Sequence, residues 1–329
     1  MPTKFYAGLL TLVMLLTGCG EPPRPPVMLR VAMIGRVQGD AYFDACVRGA
    51  REAARELGLQ LFYEAPIKPS AEEQIETVKS VLDRRMDAIV IAPADPMALA
   101  PALRRVRESG VHVITFDTDA DEKRSGREWF VKPASDKSVA RALVRIMALS
   151  GGPQARTVIV TSGNASAGQQ VWIGEMRSYI GATFPTMMIA DIKRCAEPSD
   201  AYDAIQTVLR NDGEVSGVFA LLPDLLVSAA ESVKHAGKSG KIVVTGIGLP
   251  KSIGPFVKEG VVPAFVVWNP TDLGYLAVQT ARRVIKGELA ADAKEIEAGR
   301  LGKRAIQGRE ILLGEPIAVS AAKVDAFDF

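Results

Sequence analysis

From residue 29 onward the chain alternates short apolar runs with amphipathic helical patterns. "LRVAMIG" (29–35) reads as a strand, and "AYFDACVRGAREAARELG" (41–58) has helical spacing that stops at Gly58. "LQLFYEA" (59–65) is a second strand. "SAEEQIETVKSVLDRR" (70–85) opens with Ser70 and Glu73, the spacing of a capping box. "DAIVIAP" (87–93) and "VHVITFD" (111–117) are further strands, separated by a helix near 97–109. The unit length of about 30 residues matches a strand plus its crossover helix. This rhythm demands a parallel sheet covered by helices on both faces.

"REWFVKPASD" (127–136) breaks the rhythm, which then resumes. Helices are expected over 136–149, 169–183, 199–211, 224–237 and 272–287, with a short one after Pro250. Strands are expected at 156–162, 186–192, 217–222, 241–246 and 263–268, and the tail from 304 to 320 reads as extended. The 329 residues suffice for two domains of ordinary size. The two α/β sets join near 117–136, and the chain is expected to pass between them more than once.

The amino terminus follows a different logic. Leu9 to Leu16 is apolar but falls short of the roughly 20 residues that a membrane span needs. With Lys4 before it and small residues after it, the run reads as an export signal. Leu16-Thr17-Gly18-Cys19 resembles the lipobox of bacterial lipoproteins. The resemblance implies a signal peptide over 1–18, lipid on Cys19, and an anchor and Pro-rich linker over 19–28.

Composition narrows the function. Charged residues make up 24% and the formal net charge is +2, with no basic block to suit nucleic acid. The two histidines, His112 in a strand and His235 near a helix end, lack metal-site spacing. There is no G-x-S-x-G elbow. "GIGLPKS" (246–252) has Pro250 where a P-loop needs glycine, and "GRVQGD" (35–40) lacks dinucleotide spacing. "TSGNASAG" (161–168) suits either an anion cradle or a plain turn. We therefore expect no catalytic residues, no metal and no cofactor. Cys46 reads as a small buried hydrophobe, and a disulfide to Cys195 stays open.

Ligands of open α/β sheets bind beyond the carboxyl ends of the strands. Those ends carry Arg36, Gln38, Asp40, Tyr42 and Phe43, then Pro93 and Asp95, then Asp117. The second set contributes Gln169, Trp172, Pro223, Asp224, Gly246 to Pro250, Trp268 and Asn269. Aromatic faces beside amide, carboxylate and guanidinium groups suit a sugar. Phe43 and Trp172 could equally be packing residues, and Asp40 and Asp95 read best as helix caps. Asp117 ends a buried apolar strand, so its carboxylate needs a partner.

The chain from about 29 to 320 resembles the periplasmic-type sugar-binding lipoproteins of bacterial ABC importers, which have the type I periplasmic binding protein fold. "RVAMIGRVQGDAYFDACVRGAREAARELG", "DAIVIAPADPMAL" and "GVHVITFDTDA" are similar to their landmarks. "FVVWNPTDLGYLAV" and "QQVWIGEM" resemble the subgroup that binds rhamnose or, in close relatives, autoinducer-2. The resemblance implies two lobes on a three-segment hinge: 29–134 with 268–303, and 135–267 with 304–329. It implies that Asp117 binds hydroxyls, and that Arg36 stands where autoinducer-2 receptors have lysine. Gln169 matches the glutamine of their aspartate–glutamine pair, with Gly168 in the aspartate's place, which weighs against autoinducer-2. Pro223 matches a proline near backbone contacts, and Trp268 with Asn269 matches the hinge-side pair of the subgroup. The implied protein is a monomer, tethered outside the cytoplasm, that captures a monosaccharide and meets permease subunits of an importer. Ligand presentation to a membrane sensor is the alternative role.

Overall fold

The computed structural model describes residues 28–68, 70–163 and 167–329. Export signal and lipobox lie outside the described residues. The first half of the chain folds as β1 (Arg30–Ile34), α1 (Ala41–Leu57), β2 (Gln60–Glu64), α2 (Ala71–Leu82), β3 (Ala88–Ile91), α3 (Pro96–Glu108), β4 (His112–Phe116), α4 (Glu122–Ser125) and β5 (Trp129–Lys132). There follow α5 (Asp136–Gly151), β6 (Arg156–Ser162), α6 (Ala167–Thr183), β7 (Met188–Cys195), α7 (Pro198–Asn211), β8 (Gly217–Ala220), α8 (Pro223–His235), β9 (Val243–Gly246), α9 (Pro250–Lys258) and β10 (Ala264–Val267). The chain ends with α10 (Pro270–Ile285), β11 (Glu295–Glu297), β12 (Lys303–Gln307), β13 (Glu310–Leu312) and β14 (Ile317–Ser320).

Local chemistry sets these boundaries. Asp40 caps α1 by accepting from the backbone N–H of Tyr42 and Phe43, and Asp95 caps α3 in the same way. Gly58 ends α1 in the left-handed conformation at φ 62°, donating back to Ala54 and Arg55. Ser70 Oγ accepts from Glu73 N–H, as expected. The Glu73 carboxylate instead accepts from the Lys68 N–H, so the reciprocal half of the box is absent.

The strands form two large sheets and a separate two-stranded one. The first runs β11-β12-β13-β5-β4-β3-β1-β2, and the second β7-β6-β8-β9. β1 to β5 and β13 pair in parallel, as do all four strands of the second sheet. Each large sheet is covered on both faces. In the first, α1 and α10 bury Phe43, Ala50, Leu273 and Tyr275 on one face, while α2 and α3 bury Val78, Leu99 and Leu103 on the other. In the second, α7 and α8 cover one face and α5 and α6 the other. The antiparallel pair β10 and β14 adds to the second core through Phe265 and Val319. The chain passes between the sheets at three places: between β5 and α5, between β10 and α10, and between β13 and β14.

Two expectations need correction. The break at 127–136 contains β5, an interior strand paired with β4 and β13. Its apolar residues are too few to show a period. Residues 304–312, expected with the second set, lie in the first sheet because β13 pairs with β5. Ile306 and Ile311 are buried in the first core. A short strand's apolar pattern says that it is half-buried, not which sheet buries it.

Candidate functional site

Elements from the carboxyl ends of the two sheets meet. Leu249, after β9, packs on the cores of both sets, and Ala45 of α1 sits among the second core. Trp268, the first residue after β10, also packs against both. The polar groups at this junction are organised around Asp117.

Asp117 has φ 62°, an uncommon value for a residue with a side chain. The Thr118 N–H donates to Phe116 C=O at 2.6 Å, closing a three-residue turn around it. Such local strain persists where the surroundings over-determine it, and it concentrates at functional sites. Behind the turn, Asp119 accepts from Thr115 Oγ1 at 2.6 Å and pairs with buried Arg127 at 2.7 Å. Burial raises the Asp119 pKa, against the pull of Arg127. Asp119 and Arg127 therefore staple the loop that presents Asp117. Neither stood out in the sequence, because Arg127 lies in the segment where the rhythm broke.

Asp117 Oδ1 accepts from the Tyr42 hydroxyl at 2.5 Å, and the Trp268 indole N–H donates to the same hydroxyl at 2.7 Å. Burial, then the Asp117 charge, hold the Tyr42 phenol well above its ordinary pKa, so it stays protonated. Asp117 Oδ2 faces Arg36 at 3.6 Å. The Arg36 side chain is 41% exposed, and its guanidinium lies 5.2 Å over the Phe43 ring. Phe43 itself is 1% exposed and meets Phe116 edge to face. Its burial fits the packing reading rather than a ring offered to ligand, and it supports Arg36 from below.

The second sheet contributes a separate cluster. Gln169 is buried, and its Oε1 accepts from Thr161 Oγ1 at 3.1 Å and Ser162 Oγ at 2.7 Å. Half-buried Trp172 donates its indole N–H to Asp136 Oδ1 at 2.8 Å. The other oxygen of Asp136 meets Lys132 Nζ at 2.6 Å, and Lys132 also reaches Glu310 at 3.1 Å. Burial opposes the Lys132 charge, but Asp136 and Glu310 outweigh it and raise its pKa. Asp136 and Lys132 were missed in the sequence. The signal was there: Asp136 opens α5, and helices after crossings begin at the carboxyl edge.

Other expected residues stand outside these clusters. Asn269 caps α10, its Oδ1 accepting from the N–H groups of Thr271 and Asp272, so that oxygen is taken. Pro223 and Asp224 open α8, and Asp224 is exposed where a carboxylate complements the helix dipole. No hydrogen bond or ion pair among the described residues joins them to Asp117. Gln38 turns away, donating to Ala65 C=O at 2.8 Å. His112 pairs with Glu128 at 2.9 Å and His235 with Tyr202 at 3.0 Å. Cys46 and Cys195 are both free thiols, and burial pushes each thiol pKa up. Among the described residues, no group of three or more His, Cys, Asp or Glu could hold a metal ion. No described helix is long and apolar enough to cross a membrane.

Comparison with known proteins agrees with this architecture. Residues 31–289 match the family model described as the periplasmic binding protein domain. The chain belongs to the periplasmic binding protein family. The D-allose-binding periplasmic protein of Escherichia coli (strain K12) is 24% identical over 286 residues, 82% of this chain and 87% of that protein. The ribose import binding protein RbsB of Bacillus subtilis (strain 168) is 21% identical over 309 residues, 87% and 94% of the two chains. The structure of a sugar ABC transporter protein from Actinomyces odontolyticus superposes with TM-score 0.80 at 25% identity, covering 92% of this chain and 98% of that one. A solute-binding protein from Clostridium phytofermentas with bound L-rhamnose gives TM-score 0.79 at 23% identity, over 91% and 98% of the two chains. These homologues are solute-binding proteins rather than enzymes, as the lack of a catalytic motif in the sequence led us to expect.

Proposed function

We propose that this protein is an extracytoplasmic solute-binding lipoprotein. It captures a monosaccharide, rhamnose or a related sugar, between two lobes and delivers it to the permease subunits of an ABC importer. The observation that carries the reading is Asp117: a carboxylate at the end of a buried strand, on a strained turn, with one oxygen held by Tyr42 and the other beside Arg36. A carboxylate paired with a guanidinium suits two vicinal hydroxyls, one donating and one accepting. Relatives named for allose and ribose, and "FVVWNPTDLGYLAV" in this chain, support a sugar and a deoxyhexose in particular. A sugar touching groups from both lobes would favour the closed state by its differential affinity.

The test is a thermal shift of the purified protein against a panel of sugars. A ligand at a thousandfold its dissociation constant adds about 4 kcal/mol. For a chain of this size that raises Tm by roughly 6–8 °C. A shift with rhamnose alone supports the full reading. A shift with another sugar moves the ligand, and a shift with autoinducer-2 but no sugar replaces it. The tether is tested separately. Cys19→Ser protein is expected in the soluble fraction after cell disruption, and its retention with membranes would remove the lipid anchor.

A further inference from the structure

The hydrogen bonds between Trp268, Tyr42 and Asp117 have one possible direction. An indole N–H donates and cannot accept, so the 2.7 Å contact makes the Tyr42 oxygen its acceptor. The single phenolic proton is then left for Asp117 Oδ1, 2.5 Å away. The order is indole to phenol to carboxylate. Tyr42 is 8% exposed, so water has little access to compete for that proton. The three groups come from different parts of the fold. Trp268 lies in the crossing between β10 and α10, with its ring against the cores of both sets. Tyr42 rides on α1, and Asp117 sits at the centre of the turn after β4.

We infer that Trp268 and Tyr42 are positioning residues that act through Asp117, and that this relay couples the β10–α10 crossing to the ligand-binding carboxylate. The relay occupies Oδ1, so the lone pair presented to ligand is on Oδ2, which faces Arg36 and accepts from Thr118 Oγ1 at 3.3 Å. A change in the crossing would therefore turn the carboxylate before it changed any ligand contact. The last point rests on the sugar-binding reading; the relay itself does not.

Two measurements on the full-length protein decide it. The sequence has three tryptophans, so ¹⁵N-tryptophan labelling gives three indole N–H signals, and Trp268→Phe assigns one of them. Tyr42→Phe is expected to move the Trp268 signal strongly. Asp117→Asn, two bonds away, should move it less, while the Trp129 and Trp172 signals stay in place. A Trp268 signal unmoved by Asp117→Asn would overturn the relay, whether or not any sugar binds. The second measurement uses the sugar that shifts Tm. Tyr42→Phe should weaken binding about tenfold, the scale of one lost bond to a charged group. Trp268→Phe should weaken it severalfold alone, yet add nothing in the Tyr42→Phe background. Additive losses would mean two independent contacts and would overturn the relay. Sugar binding untouched by any of these changes, with the indole signals coupled, would count against Asp117 as the ligand carboxylate and leave the relay standing.

Discussion

Asp117→Ala protein is expected to show no saturable sugar binding in calorimetry at concentrations that saturate the wild type. Each charge-assisted bond from a carboxylate to a buried hydroxyl contributes about 1.5–3 kcal/mol. Losing the one made through Oδ2 weakens binding by roughly tenfold to a hundredfold or more. The substitution also takes away the acceptor of the Tyr42 hydroxyl, which is buried. An unsatisfied buried donor costs about 1–3 kcal/mol, so Tm should fall by a few degrees as well. Asp117→Asn separates the two effects. Asparagine tolerates the left-handed backbone that Asp117 adopts, and its carbonyl can still accept from Tyr42. That variant should regain most of the thermal stability and little of the binding. Unchanged affinity in the alanine variant would remove Asp117 from the site.

The second large effect concerns the framework. α1 and α10 cross at two glycines. A Cβ on Gly274 would lie 1.9 Å from the Cys46 carbonyl oxygen, and one on Gly49 would lie 1.8 Å from that of Thr271. Both obstacles are backbone atoms, so neither can swing aside as a side chain would. Helix propensity alone predicts that Gly274→Ala stabilises the chain by up to about 1 kcal/mol. We expect the opposite sign. Forcing the helices apart costs about 3 kcal/mol, the upper end for overpacking. Tm should then drop by roughly 5–6 °C. Sugar affinity should fall with it, because α1 carries Tyr42 and α10 follows directly on Trp268. A Tm equal to or above that of the wild type would show that the two helices can slide apart at little cost.

Much of the fold was legible in the chain because its signals are local. Periods of 3.6 and 2 residues, Gly58 at a helix end, and Asp40 and Asp95 at helix starts all act within a few positions of themselves. The site was legible in part for the same reason. The carboxyl ends of strands can be listed once the strands are known, which brought out Arg36, Tyr42 and Asp117. What stood there as ambiguous, Phe43 and Trp172, differs only in burial and partners. Phe43 goes under Arg36, and Trp172 finds Asp136, a residue that reads locally as nothing more than a helix start.

Thus the sequence by itself determined the class of the fold, most element positions, the helix caps and the strand ends where polar groups gather. Tertiary structure decided the rest. It placed β12 and β13 in the first sheet, although the tail lies far along the chain from β5. It showed that Asn269, expected as a ligand contact, also caps α10 through its Oδ1. It also brought Trp268 to Tyr42 across 226 positions and Tyr42 to Asp117 across 75. The physical reason is the same each time. A residue's periodicity and capping chemistry depend on near neighbours, whereas its burial and its hydrogen-bond partner depend on which distant backbone the packing of the cores brings alongside.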